Sequence, residues 1–249
     1  MPIASSEEFY EFLKRAHDEF QPFALELRFD KAHALHRTLV ALYSSILELT
    51  GSCICLLERR LLVGVPVLLR ATLEAYVDLV NLSSNPRYGY SLERSYLREW
   101  RKLLQEAQGG NNEYLAAISQ EPSLPERIQE FQREEAKLER QGHRALNVEQ
   151  RFQRAGMEKE YRSVYNSLCC ASHNNLRSLM DRHIEFDAKD FTMVLYKAYA
   201  PEDAAVYVGT SAELLVRATE KVHKVLKSVA SDKVSAFRLE LNHLRGDAV

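Results

Sequence analysis

Apolar side chains near the start of the chain recur at intervals of three and four residues, which is the period of an amphipathic helix. Phe9, Phe12 and Leu13 follow this spacing, and a Ser-x-x-Glu capping box precedes them. We therefore predict a first helix over residues 6–19, with Pro22 in the break that follows it.

Two more apolar helices are predicted next, because only 10 of the 55 residues in 30–84 are charged. The first begins near Asp30, and its apolar pattern continues beyond Gly51, which either ends the helix or is tolerated inside it. The second covers residues 66–83, with a proline in its first turn, and ends at the sequence Ser-Ser-Asn-Pro.

The stretch 87–160 has a different character, since 13 basic and 13 acidic side chains occur in its 74 residues. Such a pattern predicts helices with exposed polar faces. Their expected ranges are 91–107, 111–119, 125–141 and a shorter 147–155. We interpret residues 87–157 as a charged helical insertion or lid.

A helix over 158–180 follows, and the β-branched and aromatic residues of 183–199 then predict a small hairpin or an extended connector. Two further helices are expected over 202–229 and 233–244. We predict an all-α fold, a multi-helix bundle that forms one domain over 1–249 with the charged insertion and one short β-hairpin.

Composition supports the helical reading and excludes several classes of protein. The chain has 35 leucines but only 16 glycines and prolines together, which argues against an all-β fold. A hydrophobic content of 46% excludes a disordered chain. The net charge of −2 excludes a chain-wide basic field, so any nucleic-acid surface must be local.

The location predicted from the sequence is the cytoplasm. No apolar signal segment follows the first residues, and the uncharged run Leu61–Leu69 is far shorter than the roughly 20 residues that span a membrane. The cysteines, Cys53-x-Cys55 and Cys169-Cys170, lack the spacing of common zinc and redox motifs. We expect the cysteines to be reduced and to serve packing. We also expect no cofactor and no contact with a membrane.

A polar stripe crosses the apolar helix 66–83. Arg70, Glu74 and Asp78 recur every four residues, and Asn81 extends the same side. One interpretation is a structural ion pair that fixes the position of the helix, because buried charge is unfavourable unless it is paired. The other is the polar floor of a cleft.

A second stripe lies on the helix predicted over 158–180. Its polar members are Arg162, Asn166, Cys169, Cys170, His173 and Arg177, and Asn174 and Asn175 follow the histidine. An imidazole can act as general acid or base near neutral pH, and guanidinium groups bind phosphate. The alternative is a histidine that only packs within the bundle.

Two strings of residues resemble the signatures of a bacterial family of uncharacterised all-α proteins. One is Val-Leu-Leu-Arg-Ala-Thr-Leu-Glu-Ala-Tyr-Val-Asp, over 67–78, and the other is a Tyr-x-x-Leu-Cys-x-x-x-His turn from Tyr165 to His173. The resemblance covers roughly 30–84 and 158–181. Such proteins are similar to HEPN domains, helical bundles found in toxin–antitoxin and phage-defence systems.

The resemblance implies a metal-independent endoribonuclease that works as a homodimer, acts on RNA or a nucleotide and uses an Arg, four to six residues, then His motif. Ten residues separate Arg162 from His173, six separate Asn166 from His173, and five separate Arg177 from His183. Under this hypothesis the catalytic residues are His173, Arg70 and Glu74. Asp78, Arg162, Tyr165, Asn166, Asn174 and Arg177 bind the substrate.

Two hypotheses from other classes stay open. The first is a non-catalytic helical module that dimerises or binds a partner protein. The second is a metal-dependent bundle enzyme, because Glu220-x-x-His223 and Glu240-x-x-His243 have the spacing of di-iron ligands and His33-x-x-His36 that of a metal pair. A basic stripe of Arg217, Lys221, Lys224 and Lys227 suits either a phosphate backbone or a solvated helix face.

Overall fold

The computed structural model describes residues 4–173, 175–197, 201–228 and 230–247. It confirms an all-α multi-helix bundle with one short hairpin. The elements are α1 (Ser6–Leu25), α2 (Ala34–Glu58), α3 (Val65–Ser84), α4 (Tyr88–Gln108), α5 (Ala116–Ser119), α6 (Leu124–Arg140), α7 (Val148–Arg154), α8 (Glu158–Glu160), α9 (Asn166–Ser172), α10 (Leu176–His183), β1 (Ile184–Phe186), β2 (Phe191–Met193), α11 (Pro201–Val225) and α12 (Ser231–Arg245). A π-helical segment, Tyr161–Tyr165, joins α8 to α9.

Contacts within the chain divide it into two units. The first, which we call the bundle unit, combines the described parts of 1–84 and 152–249. The second, the insert unit, is Asn85–Arg151.

The bundle unit is built around α11. This helix packs against α1, α2, α3 and α12, and α3 also packs against α2 and α9. Phe20 and Phe12 both meet the ring of Phe237 edge to face, at centroid distances of 4.9 and 6.0 Å. Burial of such aromatic side chains supplies the hydrophobic stabilisation that fixes the helices against one another.

The first helix continues past the proline that was predicted to follow its end. It runs to Leu25 with Pro22 inside it, so the predicted end at residue 19 is wrong. Phe20 and Phe23, on either side of the proline, are both buried. Their burial keeps the chain helical here and outweighs the backbone hydrogen bond that proline cannot donate.

The second helix begins four residues later than expected, at Ala34, because the Asp30 carboxylate accepts a hydrogen bond from the Ala32 amide and forms a turn. Gly51 is inside the helix, where an added Cβ would lie 2.9 Å from Nε2 of His17. The glycine therefore permits α1 and α2 to approach closely, with the His17 ring 3.1 Å from the Leu47 carbonyl oxygen.

Among the described residues, α2 is the helix that by length and composition could cross a membrane. Its side chains Leu39, Tyr43 and Ile46 are fully buried, and it packs on α1, α3 and α11 as a core helix does. The uncharged run Leu61–Leu69 is divided between a 3-10 turn and the start of α3.

The insert unit has its own small core. Leu104 and Ala107 of α4 pack with Leu124 and Ile128 of α6. The helix predicted over 111–119 is shorter than expected: a 3-10 turn, Glu113–Leu115, precedes the single turn of α5. The Asn112 side chain accepts a hydrogen bond from the Tyr114 amide and so favours the turn over a helix.

The helix predicted over 158–180 is interrupted. It ends at Ser172, and α10 begins at Leu176 after a polar turn. The Asn175 side chain accepts a hydrogen bond from the Arg177 amide and caps α10, which is the local interaction that makes a new helix start here. The predicted hairpin is confirmed, with β1 and β2 antiparallel and Phe186 opposite Phe191.

A histidine occupies the centre of the bundle unit. His223 of α11 is 0% exposed, and among the residues that the structure describes neither ring nitrogen has a hydrogen-bond partner. The rings of Phe23 and Tyr43 meet it edge to face, at 6.2 and 6.1 Å. Burial lowers the pKa of His223, because a charged imidazolium would be desolvated here without compensation.

We expect this histidine to make the protein less stable in acid. Below about pH 6.5 the unfolded chain binds a proton at His223, whereas the folded chain does so only at lower pH. The free energy of unfolding should therefore decrease below about pH 6.5, with at most about 1.4 kcal/mol per pH unit from this residue. Urea unfolding of wild type and His223→Leu between pH 7.5 and 5.5 measures the difference in slope.

His243→Leu is the matched control, because His243 is exposed at the end of α12. This variant should keep the pH dependence of the wild type. Equal slopes for His223→Leu and wild type would contradict the expected role of the buried imidazole.

Candidate active site

Two charged residues of α3 form the base of the site. Arg70 and Glu74 are one turn apart, and the Arg70 Nε atom lies 3.3 Å from Oε1 of Glu74. Their side chains are 25% and 27% exposed, so they lie at the edge of the bundle unit and retain access to solvent. The pair is both a structural ion pair and a surface that a ligand can reach.

Two residues from the neighbouring helical segment complete the cluster. Tyr165 ends the π-helical segment, and His173 follows the last residue of α9. Arg70 Nη1 is 2.6 Å from His173 Nε2, and Arg70 Nη2 donates to the Tyr165 hydroxyl at 3.3 Å. The Tyr165 hydroxyl in turn donates to Glu74 Oε1 at 2.9 Å. The structure thus brings these four sequence-predicted residues together, and we call them the Arg70 cluster.

The contact between arginine and histidine defines the state of the imidazole. A guanidinium group only donates hydrogen bonds. Nε2 of His173 is therefore assigned as the acceptor in this contact, and the ring proton is assigned to Nδ1. His173 is exposed, so a ligand that takes over the Arg70 donor leaves Nε2 free to accept a proton.

Tyr165 is held as a neutral phenol. Burial raises its pKa, and the hydrogen bond to the Glu74 carboxylate raises it further. The Arg70 guanidinium carbon lies 5.5 Å from the centroid of the Tyr165 ring. Tyr161 stacks on the same ring at 5.4 Å, and Phe152 packs against it at 5.0 Å. This aromatic packing fixes the hydroxyl that links the arginine to the glutamate.

Sequence reasoning missed one member of this environment. Cys169, interpreted as a packing residue, lies close enough to Tyr165 to contribute to the raised pKa of its hydroxyl, after burial and the Glu74 carboxylate. It is half-buried, whereas the adjacent Cys170 is exposed. Its position four residues after Tyr165, on the polar stripe and within the second signature string, is the signal in the sequence that relates it to the site.

The other predicted site residues are placed differently. Asp78 is only 8% exposed, although it continues the stripe of Arg70 and Glu74 along α3. Arg162 and Asn166 are exposed, and the exposed Arg177 pairs with Asp181 of its own helix at 3.8 Å. Asn174 lies outside the described residues.

The candidate metal ligands have other partners. Glu220 accepts two hydrogen bonds from Arg238, and Glu240 accepts one from Arg15. His223 is the buried core residue described above. His33 and His36 stack on each other at 4.6 Å. Within the described ranges, no group of three or more His, Cys, Asp or Glu side chains could hold a metal ion.

Comparison with known proteins gives a family but no activity. The model of the Family of unknown function (DUF5677) matches residues 36–191, which is more than half of the chain. The chain belongs to this family. The match contains both signature strings and the whole Arg70 cluster, and it leaves α1, α11 and α12 outside. Searches of curated proteins and of solved structures returned no match.

We expect Tyr165→Phe to reduce the free energy of unfolding by about 1 kcal/mol, because it removes a hydroxyl that both accepts from Arg70 and donates to Glu74. Tyr161→Phe is the matched control, since it keeps a stacked ring of the same kind and should change stability by less than about 0.5 kcal/mol. Urea unfolding of both variants is the measurement.

The same substitution in a Glu74→Gln variant tests whether the loss of stability depends on the hydrogen bond to the Glu74 carboxylate. There the loss caused by Tyr165→Phe should become smaller, since the acceptor charge is already absent. An effect of Tyr165→Phe equal to that of Tyr161→Phe would show that the hydroxyl contributes nothing.

Proposed function

We propose that this protein is an HEPN-like, metal-independent endoribonuclease of a bacterial defence or toxin-type system. The observation that carries the proposal is the 2.6 Å contact between Arg70 Nη1 and His173 Nε2, which joins the two signature strings at one exposed polar surface. Cleavage of an RNA phosphodiester needs a group that binds the phosphate and a group that transfers protons. The guanidinium of Arg70 and the imidazole of His173 are of these two kinds.

The proposed reaction uses the RNA's own 2′-hydroxyl as nucleophile. His173 Nε2 takes the hydroxyl proton, and the oxygen forms a bond to phosphorus. The bond from phosphorus to the 5′-oxygen breaks, and the leaving oxygen receives the proton from the imidazolium. The products are a 2′,3′-cyclic phosphate and a 5′-hydroxyl. Arg70 stabilises the negative charge that develops on the phosphoryl oxygens.

Glu74 and Tyr165 are positioning residues in this scheme. They contact the same guanidinium, through Nε and Nη2, and leave Nη1 directed at His173. A phosphate group that replaces His173 at Nη1 would both bind Arg70 and release the base. The exposed Arg162, Asn166 and Arg177 are proposed to bind the flanking RNA.

Cleavage of end-labelled RNA in the presence of EDTA tests the proposal. We expect wild type to cleave RNA and to leave DNA of the same sequence intact, since DNA has no 2′-hydroxyl. His173→Ala should reduce the rate at least about 100-fold, because general acid–base catalysis contributes about that factor. Arg70→Lys should retain the charge but lose the bidentate geometry, with a smaller rate loss.

The matched control is His243→Ala, which removes an exposed histidine from α12 and should leave the rate unchanged. Cleavage that EDTA abolishes, or that His173→Ala retains, would falsify the proposed mechanism. Circular dichroism shows that each variant is folded before its rate is compared.

The second candidate is a non-catalytic interaction or dimerisation module. It is favoured by large apolar side chains that remain exposed around the hairpin. Their exposed fractions are 74% for Phe186, 60% for Phe191, 74% for Met193, 70% for Leu195 and 76% for Tyr196. Under this hypothesis the Arg70 cluster is structural, and His173→Ala changes stability while wild type and variant are equally without ribonuclease activity.

A further inference from the structure

The face of α3 that turns away from the Arg70 cluster borders a second polar region. At about 100° per residue, Tyr76 and Ser83 are rotated by roughly half a turn from Glu74. They line a cavity of about 710 Å³ together with residues of α11 and α12. None of the four residues of the Arg70 cluster lines this cavity, so the region is separate from the proposed ribonuclease site.

The cavity, which we call the lysine cavity, is lined by three cations. They are Arg217, Lys221 and Lys224, members of the basic stripe that the sequence shows on α11. Lys227, the fourth member, follows the end of the helix and has a positive φ of 53°. The helix therefore directs three of the four basic side chains to one volume.

The carboxylates near this cavity are already engaged by arginine. Glu220 accepts two hydrogen bonds from Arg238, and Glu213 is paired with Arg217, Arg238 and Arg245. Although burial opposes ionisation of Glu213, attraction to the three guanidinium groups outweighs it and lowers the pKa of this carboxyl. Glu213 therefore stays ionised, and the three guanidinium groups around it carry more positive charge than its one negative charge.

Lys221 and Lys224 have no such partner. Within the part of the chain that the structure describes, neither ammonium group lies within ion-pair distance of a carboxylate. The hydroxyls of Ser83 and Ser84 donate to carbonyl oxygens of their own helix, at 2.6 and 2.9 Å. The cavity thus offers cations in excess, which is the arrangement that binds a compact anion.

A second cavity of about 390 Å³ shares Tyr76 and Arg217 with the first. Its walls are mostly apolar and are contributed by Phe9, Leu73, Met157, Val164, Val206 and Leu214. Glu160, Glu213 and Arg245 supply charged groups at the same walls, and Glu213 is paired with arginine as described above. We call it the apolar cavity. Both volumes fall in the range of small-molecule sites, which combine apolar walls with a few polar groups that fix the ligand's orientation.

We propose that the two adjacent cavities form a binding site for a nucleoside phosphate. The phosphate groups occupy the lysine cavity, where Lys221, Lys224 and the exposed guanidinium of Arg217 supply charge. The base occupies the apolar cavity beside Phe9 and Tyr76. Arg217, which lines both cavities, lies at the junction between base and phosphate. The site binds a ligand and is independent of cleavage at the Arg70 cluster.

Isothermal titration calorimetry of the full chain tests this site, with ADP, pyrophosphate and adenosine as probes. We expect ADP to bind more tightly than either fragment. The double variant Lys221→Gln/Lys224→Gln should weaken both ADP and pyrophosphate at least tenfold, because it removes two charged contacts. Lys31→Gln/Lys189→Gln removes the same charge from exposed positions elsewhere in the bundle unit and should bind as wild type does.

Ala205→Phe tests the apolar cavity separately, because a phenyl ring added at this lining residue fills its volume. The variant should weaken ADP at least tenfold and leave pyrophosphate unchanged. No ADP binding by wild type, or an equal loss in the two double variants, would overturn the site. Binding of ADP by Ala205→Phe as tightly as by wild type would overturn the placement of the base.

Discussion

The structure depends on how α3 accommodates charge within an apolar helix. Leu69, Leu73 and Val77 of this helix are buried, so its neighbours must cover it on several sides. Arg70 and Glu74 cannot be buried unpaired without a large desolvation penalty. The solution is a pair at the edge of the bundle unit, in which Tyr165 from the adjoining segment completes the hydrogen bonds. The segment that supplies Tyr165 continues into α9, which packs against α3.

The same reasoning explains why α11 has one buried face and one polar face. Its buried side, which includes Leu215 and Val222, packs in the centre of the bundle unit. Around the lysine cavity its polar side carries Arg217, Lys221 and Lys224 against Glu213 and Glu220, and α12 supplies Arg238 and Arg245 to the same network. Both polar regions of the protein are therefore consequences of charged side chains on helices whose other faces are fully packed.

The sequence was sufficient to predict the elements that have a long, regular apolar period. Helix α3, predicted over 66–83, is Val65–Ser84, and the hairpin formed where aromatic and β-branched residues flank a polar turn. Spacing on α3 also placed Arg70 and Glu74 on one face. The prediction failed where tertiary packing overrides local preference, as at Pro22, whose neighbours Phe20 and Phe23 are buried.

The candidate site was predictable only in part, because its second half depends on an irregular helix. The regular spacing of Arg162, Asn166 and His173 assumed one continuous α-helix. The π-helical segment before α9 and the turn at His173 change the directions of these side chains. Cys169 lies on the same polar stripe and in the second signature string, but it was interpreted as a packing residue.

The geometry of the site also depends on how many residues the π-helical segment contains. A π-turn contains one residue more than an α-turn. Deletion of one residue between Tyr161 and Tyr165 would let the helix become regular. Tyr161 would then lie three residues from Tyr165 instead of four, which changes how the two rings stack, although no side chain that contacts Arg70 had changed. The length of this segment thus encodes the shape of the site, alongside the identity of its residues.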